Sequence, residues 1–104
     1  MQRIIKLSNH YGTEDKFILR KEYEGFGIYQ YKTPSGYFTH QHYLISNGNF
    51  TVEFPSYSNM CIEEMYDFID EYNETGTIST KLIKQCAHRY VQHNVGGEHI
   101  GKLV

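Results

Sequence analysis

The sequence predicts an α+β fold, in which an antiparallel sheet of four to five strands, arranged as a meander, is packed on one face by a C-terminal two-helix hairpin. Three observations support this prediction. Apolar and polar residues alternate with the period of β-strands through residues 1–55, whereas residues 58–95 repeat with the period of helices. Turn-forming residues separate the alternating runs. A length of 104 residues allows one domain with one core.

The predicted sheet consists of consecutive alternating runs, which cover residues 2–8, 16–23, 26–33, 37–46 and 50–54. The Thr-Pro-Ser-Gly segment at residues 33–36 is a strong turn signal, because proline presets φ and glycine accepts a positive φ. Asn47-Gly48 is the best hairpin signal in the chain. Pro55 ends the last run, so that strands joined by such short connections form a meander.

Two helices are expected to cover one face of this sheet. The first begins after Ser58 or Asn59 and ends at Gly76. Its apolar stripe consists of Ile62, Met65, Tyr66, Ile69 and Tyr72. The second is expected between residues 77 and 95, with an inner face of Leu82, Ile83, Cys86, Ala87, Tyr90 and Val91. Residues 96–104 then form a docked tail or a short edge strand.

Composition narrows the class of protein. A formal net charge of −2 disfavours a protein that holds nucleic acid mainly by counterion release. The apolar run at the N-terminus is too short for a signal peptide, and no segment approaches the ~18 apolar residues of a membrane span. We therefore expect no membrane contact and a cytoplasmic location, in the producing cell or in an infected host. The abundance of residues with A/T-rich codons suggests a low-GC genome.

No motif predicts a catalytic centre or a cofactor. Gly25 and Gly27 stand at the start of a predicted strand, whereas a phosphate-binding loop leads into a helix. The two cysteines, Cys61 and Cys86, are too few for a disulfide framework and are predicted to be buried. A reactive thiolate is not expected at Cys61, because the nearby Glu63 and Glu64 would raise the pKa of the thiol. The chain is therefore expected to be non-catalytic.

The first predicted helix carries six carboxylates: Glu63, Glu64, Asp67, Asp70, Glu71 and Glu74. Such a negative patch can bind a basic protein surface. It can also imitate the phosphates of nucleic acid and so bind to a nucleic-acid enzyme. The leading hypothesis is a small protein-binding module, a phage or mobile-element regulator or inhibitor of the anti-defence type, directed against a host nucleic-acid enzyme. The alternative explanation is a solvated charge pattern without a partner.

A second hypothesis is a nucleic-acid-binding protein that uses a Tyr-rich sheet face. Helices on one side of the sheet leave the other side open, and Tyr29 and Tyr31 are the residues expected to stack on bases there. Arg20, Lys21 and Lys32 would supply positive charge. Tyrosine is also simply a good strand former, which explains its abundance without a ligand.

A third hypothesis is a His-dependent metal-binding protein. His40 and His42 lie two residues apart on a predicted strand, so they are expected to share a face and are weak candidates for metal ligands. A third ligand would have to come from His10, His88, His93, Glu98 or His99, and none has a spacing that guarantees convergence. No recognised motif supports a metal, and hydrogen-bonded imidazoles on a strand face are the simpler expectation.

Overall fold

The computed structural model describes residues 1–56, 59–76, 89–92 and 99–101. These residues form one seven-stranded antiparallel sheet in which each strand pairs with the next in chain order, together with one helix. The elements are β1 (Ile4–Ser8), β2 (Glu14–Tyr23), β3 (Phe26–Lys32), β4 (Phe38–Ser46), β5 (Phe50–Phe54), α1 (Ile62–Thr75), β6 (Arg89–Gln92) and β7 (His99–Gly101). In this part of the chain, no helix has the length and apolar character needed to cross a bilayer.

The predicted meander is confirmed, since β1 to β5 coincide with the five alternating runs. Its two predicted turns form as well. Gly36 and Gly48 have φ values of 94° and 93°, in the left-handed region that residues with a side chain rarely adopt. At the first of these turns, the N–H of Thr33 donates to the carbonyl of Tyr37 over 2.8 Å. The alternating pattern and the turn residues therefore agree on one topology.

The predicted two-helix hairpin is not what the structure shows. Arg89–Gln92, expected to belong to the second helix, form strand β6, which pairs antiparallel with β5. Pairing satisfies backbone groups along the edge of β5, and a four-residue segment is too short for its period to separate strand from helix. The rest of the predicted second helix, residues 77–88, lies outside the described residues. His99–Gly101 form β7, which pairs with β6.

The single described helix begins later than predicted, with its N-cap two residues after Asn59. Cys61 is its N-cap, and the Cys61 N–H donates to Oε1 of Glu64 over 3.2 Å. Asn59 is therefore not the cap, and Ser58 lies outside the described residues. The predicted end at Gly76 is confirmed: this glycine is left-handed, and its N–H donates to the carbonyl of Tyr72 over 2.7 Å.

We call the side of the sheet covered by α1 the helix face, and its core is entirely apolar. Phe68, which the predicted stripe omits, is buried beside Met65 and Ile69. Its ring meets the edge of Phe54 with ring centroids 5.6 Å apart. Burying a side chain of this size contributes about 1.5–3 kcal/mol. The sheet and loop residues of this core are Phe26, Ile28, Ile45, Val52, Phe54 and Met60.

We call the opposite side of the sheet the far face, and its core mixes apolar and polar side chains. The apolar members are Ile5, Leu7, Phe17, Tyr29 and Leu44. Glu53 lies directly opposite Leu44 in the β4–β5 register, and Ser46 lies opposite Thr51. Because residues directly opposite one another share a face, all three buried polar side chains of the described residues, Ser46, Thr51 and Glu53, belong to the far face.

Candidate functional site

A histidine and a buried glutamate meet on the far face. Nε2 of His42 lies 2.6 Å from Oε2 of Glu53. The Glu53 side chain is 1% exposed and that of His42 is 15% exposed. A carboxylate at this depth is strongly destabilising unless it is paired, and an ionised carboxylate only accepts hydrogen bonds. With Glu53 ionised, Nε2 of His42 is the donor of this hydrogen bond and the carboxylate is the acceptor.

Aromatic rings fix the His42 imidazole in this position. Its centroid lies 4.7 Å from that of Tyr31, and its edge faces Phe17 at 5.6 Å. The local backbone is irregular, because Gln41 has a φ of 55° and the β3–β4 register shifts between Gln30 and Lys32. A β-bulge of this kind re-aims side chains beside functional sites.

The bulge removes the basis of the predicted histidine pair. His40 and His42 were expected to share a face because strand residues alternate, but the left-handed Gln41 between them interrupts that alternation. His40 is exposed, whereas His42 is half-buried against Glu53. Within the described residues, no group of three His, Cys, Asp or Glu side chains is arranged to hold a metal ion.

The His42–Glu53 pair lies in the wall of a pocket of about 660 Å³. The loop that forms another wall is fixed by Asn9, whose Oδ1 accepts the N–H of Tyr11 over 3.0 Å and whose Nδ2 donates to Asp15 over 3.1 Å. In the described part of the chain, no hydroxyl or thiol is hydrogen-bonded to His42. Within the described residues, His42 is therefore not paired with a nucleophile of the kind that acyl-transfer chemistry uses.

The acidic surface predicted from the sequence is present on α1, and all six carboxylate residues are exposed. Three of them have local partners, of which Glu63 contacts the Cys61 thiol. Asp70 accepts a hydrogen bond from the hydroxyl of Tyr23 over 2.8 Å, and this bond raises the pKa of Tyr23 to about 12 by favouring the neutral phenol. Glu64 accepts from the backbone of Cys61. We call the outward side of α1, with Glu63, Glu64, Asp67, Asp70, Glu71 and Glu74, the acidic face.

Cys61 is not an activated thiol. The backbone N–H of Glu64 lowers the pKa of the thiol, but hydrogen bonds with the carboxylates of Glu64 and Glu63, together with desolvation, outweigh it and raise the pKa. The thiol lies 3.2 Å from Oε1 of Glu64. Cys61 is a free cysteine, and Cys86 lies outside the described residues.

The structure corrects the expected exposure of the tyrosines. Tyr29 is 1% exposed, and its hydroxyl donates to the carbonyl of Gln2 over 2.6 Å. Burial raises the pKa of this phenol. Tyr31 is half-buried against Phe17 and His42. Tyr29 presents no ring surface to a base, because the far face of the sheet is a second core rather than a bare platform, whereas Tyr31 lines the pocket beside His42. Exposed rings are found instead at Tyr11, Tyr37 and Phe38.

Two features were not foreseen from the sequence. The first is Glu53, which alternates with apolar neighbours like any surface residue of an edge strand. The second is a set of lysines that only the strand register aligns: Lys6 lies opposite Lys16, Lys16 opposite Lys32, and Lys32 opposite Phe38. We call Lys6, Lys16 and Lys32 the lysine row. No local sequence signal marks either feature, because both depend on pairing between strands.

Neither a protein-family model nor a curated protein nor a solved structure matches this chain.

Proposed function

We propose that the protein is a non-catalytic protein-binding module whose contact surface is the acidic face of α1. One observation carries the proposal: six exposed carboxylates stand on a helix whose other side is anchored in the apolar core of the helix face. Among the described residues, none of the six forms an ion pair with a lysine or arginine. A rigid surface of one charge sign is suited to recognition of a surface of the opposite sign.

Several carboxylates of the acidic face lower the stability of α1. Asp67 lies four residues from both Glu63 and Glu71, and like charges at this spacing destabilise a helix by about 0.2–0.5 kcal/mol per pair. Glu71 and Glu74 stand in the last turns, where the helix dipole disfavours negative charge, and no basic residue compensates there. A basic partner would relieve both penalties, which favours a bound state over an isolated helix.

The partner that fits best is a protein with a basic groove, such as an enzyme that acts on nucleic acid. Carboxylates spaced along one side of a helix present negative charge to such a groove much as phosphates do. In this proposal the protein is a regulator or inhibitor of that enzyme, of the kind carried by a phage or a mobile element. It would act in the cytoplasm of the cell that contains the enzyme.

The decisive experiment reverses charge on the acidic face without touching its structural contacts. The variant Asp67→Lys, Glu71→Lys, Glu74→Lys spares Glu64, which caps α1, and Asp70, which accepts from Tyr23. The wild-type protein, used as bait in a nuclease-treated lysate of a low-GC bacterium, identifies the partner. Calorimetry then measures the affinity of the wild type and of the variant for the purified partner at two ionic strengths.

We expect the variant to bind at least about tenfold more weakly and wild-type binding to weaken as salt rises, because salt screens exposed charges. The matched control is Glu14→Lys, Glu22→Lys, Glu24→Lys, which makes the same change in net charge at exposed positions outside α1. Equal affinity of the α1 variant and the wild type would show that the acidic face is only solvated surface.

A further inference from the structure

The lysine row places three like charges side by side across three adjacent strands. Lys6 on β1, Lys16 on β2 and Lys32 on β3 are directly opposite one another in consecutive registers. Lys6 and Lys16 are exposed and Lys32 is half-buried. Directly opposed side chains have Cβ atoms only about 4.5–5.5 Å apart, and like charges at that distance are destabilising.

Glu14 is the acidic residue nearest the row on this face, and it lines the same pocket as Lys16 and Lys32 without forming an ion pair with either. Glu14, two residues before Lys16 on β2, belongs to the adjacent row of the same face, where it lies opposite Ser8. Among the described residues, no member of the lysine row forms an ion pair. The row on the other side is apolar and neutral, with Ile4 opposite Ile18 and Ile18 opposite Gln30. The charge is therefore concentrated along a single line.

The row ends at two exposed aromatic rings, one of which, Phe38, already contacts cations. Phe38, opposite Lys32, is 40% exposed, with the guanidinium of Arg20 4.1 Å and the Lys32 ammonium 5.7 Å from its ring centroid. Tyr37 precedes it and is 74% exposed. Two hydrogen bonds to Thr33 fix the Tyr37 backbone, because its N–H donates to Oγ1 and its carbonyl accepts the Thr33 N–H. An exposed ring on a fixed backbone loses little conformational entropy on binding.

The lysine row and Phe38, which lies opposite Lys32, are on the helix face beyond the part that α1 covers, and Tyr37 stands in the turn that leads into β4 at the end of the row. Lys32 follows Ile28 by four residues on β3, so both side chains point to the same side of the sheet. Ile28 is buried in the core under α1, whereas Lys32 reaches solvent. The helix face therefore has a covered apolar part and an uncovered basic part.

We propose that the lysine row, Arg20, Tyr37 and Phe38 form a binding site for single-stranded nucleic acid. The lysines follow the phosphate backbone, and the two rings stack on bases. A single strand is favoured over a duplex because stacking on Tyr37 or Phe38 requires bases that are free of their own neighbours. This site is separate from the acidic face and does not depend on the protein partner proposed for it.

The test is fluorescence anisotropy with a labelled oligo(dT) of about 12 nucleotides, within the roughly 4–16 nucleotides that comparable sites cover. The variants are Lys6→Gln, Lys16→Gln, Lys32→Gln combined, and Tyr37→Ala. We expect wild-type binding at micromolar concentration in low salt. The triple variant should reduce the slope of log K against log salt by about 2, since each phosphate contact on a single strand contributes about 0.7. Tyr37→Ala should weaken binding by about 5- to 100-fold.

The matched control is Lys21→Gln, which removes one charge away from the row, where the ammonium lies 5.1 Å from the Tyr66 ring centroid. It should leave the affinity within about twofold. Thermal unfolding separates binding from folding, because relief of like-charge repulsion should make the triple variant at least as stable as wild type.

Four outcomes would overturn the proposal. The first two are an unchanged anisotropy with wild type in low salt and an unchanged affinity in the triple variant. The third is binding of a duplex as tight as that of a single strand. The fourth is displacement of the oligonucleotide by polyglutamate at equal charge. The last result would indicate a surface for an acidic protein instead.

Discussion

The two faces of the sheet differ in what they bury. The helix face buries only apolar side chains, whereas the far face buries an apolar cluster together with Ser46, Thr51 and Glu53. Each buried polar group on the far face has a partner: Thr51 donates to Ser46 over 2.9 Å, and Glu53 meets His42. Dry packing contributes stability with little demand on geometry, whereas a polar network requires every member in place. Apolar packing and buried polar pairs therefore lie on opposite sides of one sheet.

The largest expected effect comes from cutting into the helix face. Phe68→Ala removes a buried ring that packs on Phe54, and we expect it to lower the free energy of unfolding by about 3–5 kcal/mol. Urea denaturation monitored by circular dichroism measures the loss. Asp67→Ala, on the exposed side of the same helix, is the control and should not destabilise the protein, because it relieves the repulsion from Glu63 and Glu71. A loss below about 1 kcal/mol for Phe68→Ala would mean that α1 does not hold this face together.

A smaller effect, with a different signature, is expected on the far face. His42→Leu leaves Glu53 buried without the imidazole, and we expect a loss of about 3 kcal/mol. The double variant His42→Leu, Glu53→Leu should recover most of that loss, because an apolar pair has no charge to desolvate. Urea denaturation of the two single variants and the double variant completes the cycle. Additive losses would show that the two residues do not interact.

An exchange of one hydroxyl between the faces tests the comparison directly. Val52→Thr puts a hydroxyl into the core of the helix face, and we expect a loss of about 1–3 kcal/mol in the free energy of unfolding because the described core side chains of this face are apolar. Thr51→Val, one residue earlier, removes the donor to Ser46 and should cost about 1 kcal/mol. Both variants are measured by thermal unfolding. If Val52→Thr were the milder of the two, the distinction between the faces would fail.

The smallest effect concerns a polar contact at the rim of the helix face. Tyr23 on β2 donates to Asp70 on α1, and this hydrogen bond raises the pKa of Tyr23 to about 12. The folded state thus favours the neutral phenol. This contribution to stability is fully present below pH 10 and is lost as the pH rises through about 12. Asp70→Asn should lower the pKa of Tyr23 in an ultraviolet titration of tyrosinate, with Tyr23→Phe identifying the signal.

Local sequence signals were sufficient for the meander and insufficient for its faces. Alternation located β1 to β5, and Gly36, Gly48 and Gly76 marked turns and the helix end, because these preferences act within a few residues. Alternation assigns residues to two faces of a sheet but does not indicate what covers each face. For this reason Tyr29 was expected to be exposed, whereas it is buried. The acidic face was visible in the sequence because helical spacing alone defines it.

The features that the sequence did not reveal all depend on distant pairing. The four residues of β6 fit a helix or a strand until their pairing with β5 decides between them. The bulge at Gln41 re-aims His42, and Glu53 acquires its role only where β5 meets β4. The lysine row requires the registers of three strands at once.

The position of α1 in the chain also has a kinetic consequence. Strands β1 to β5 pair with neighbours joined by short turns, so these hairpins close over small distances along the chain. β6 pairs with β5 only after the excursion over residues 55–88, which includes α1. Loop closure of that length is slower and entropically more demanding than closure of a hairpin. We therefore expect the five-strand meander to form early in folding and β6 to pair with β5 later. Until then, the edge of β5 is open to intermolecular pairing and aggregation.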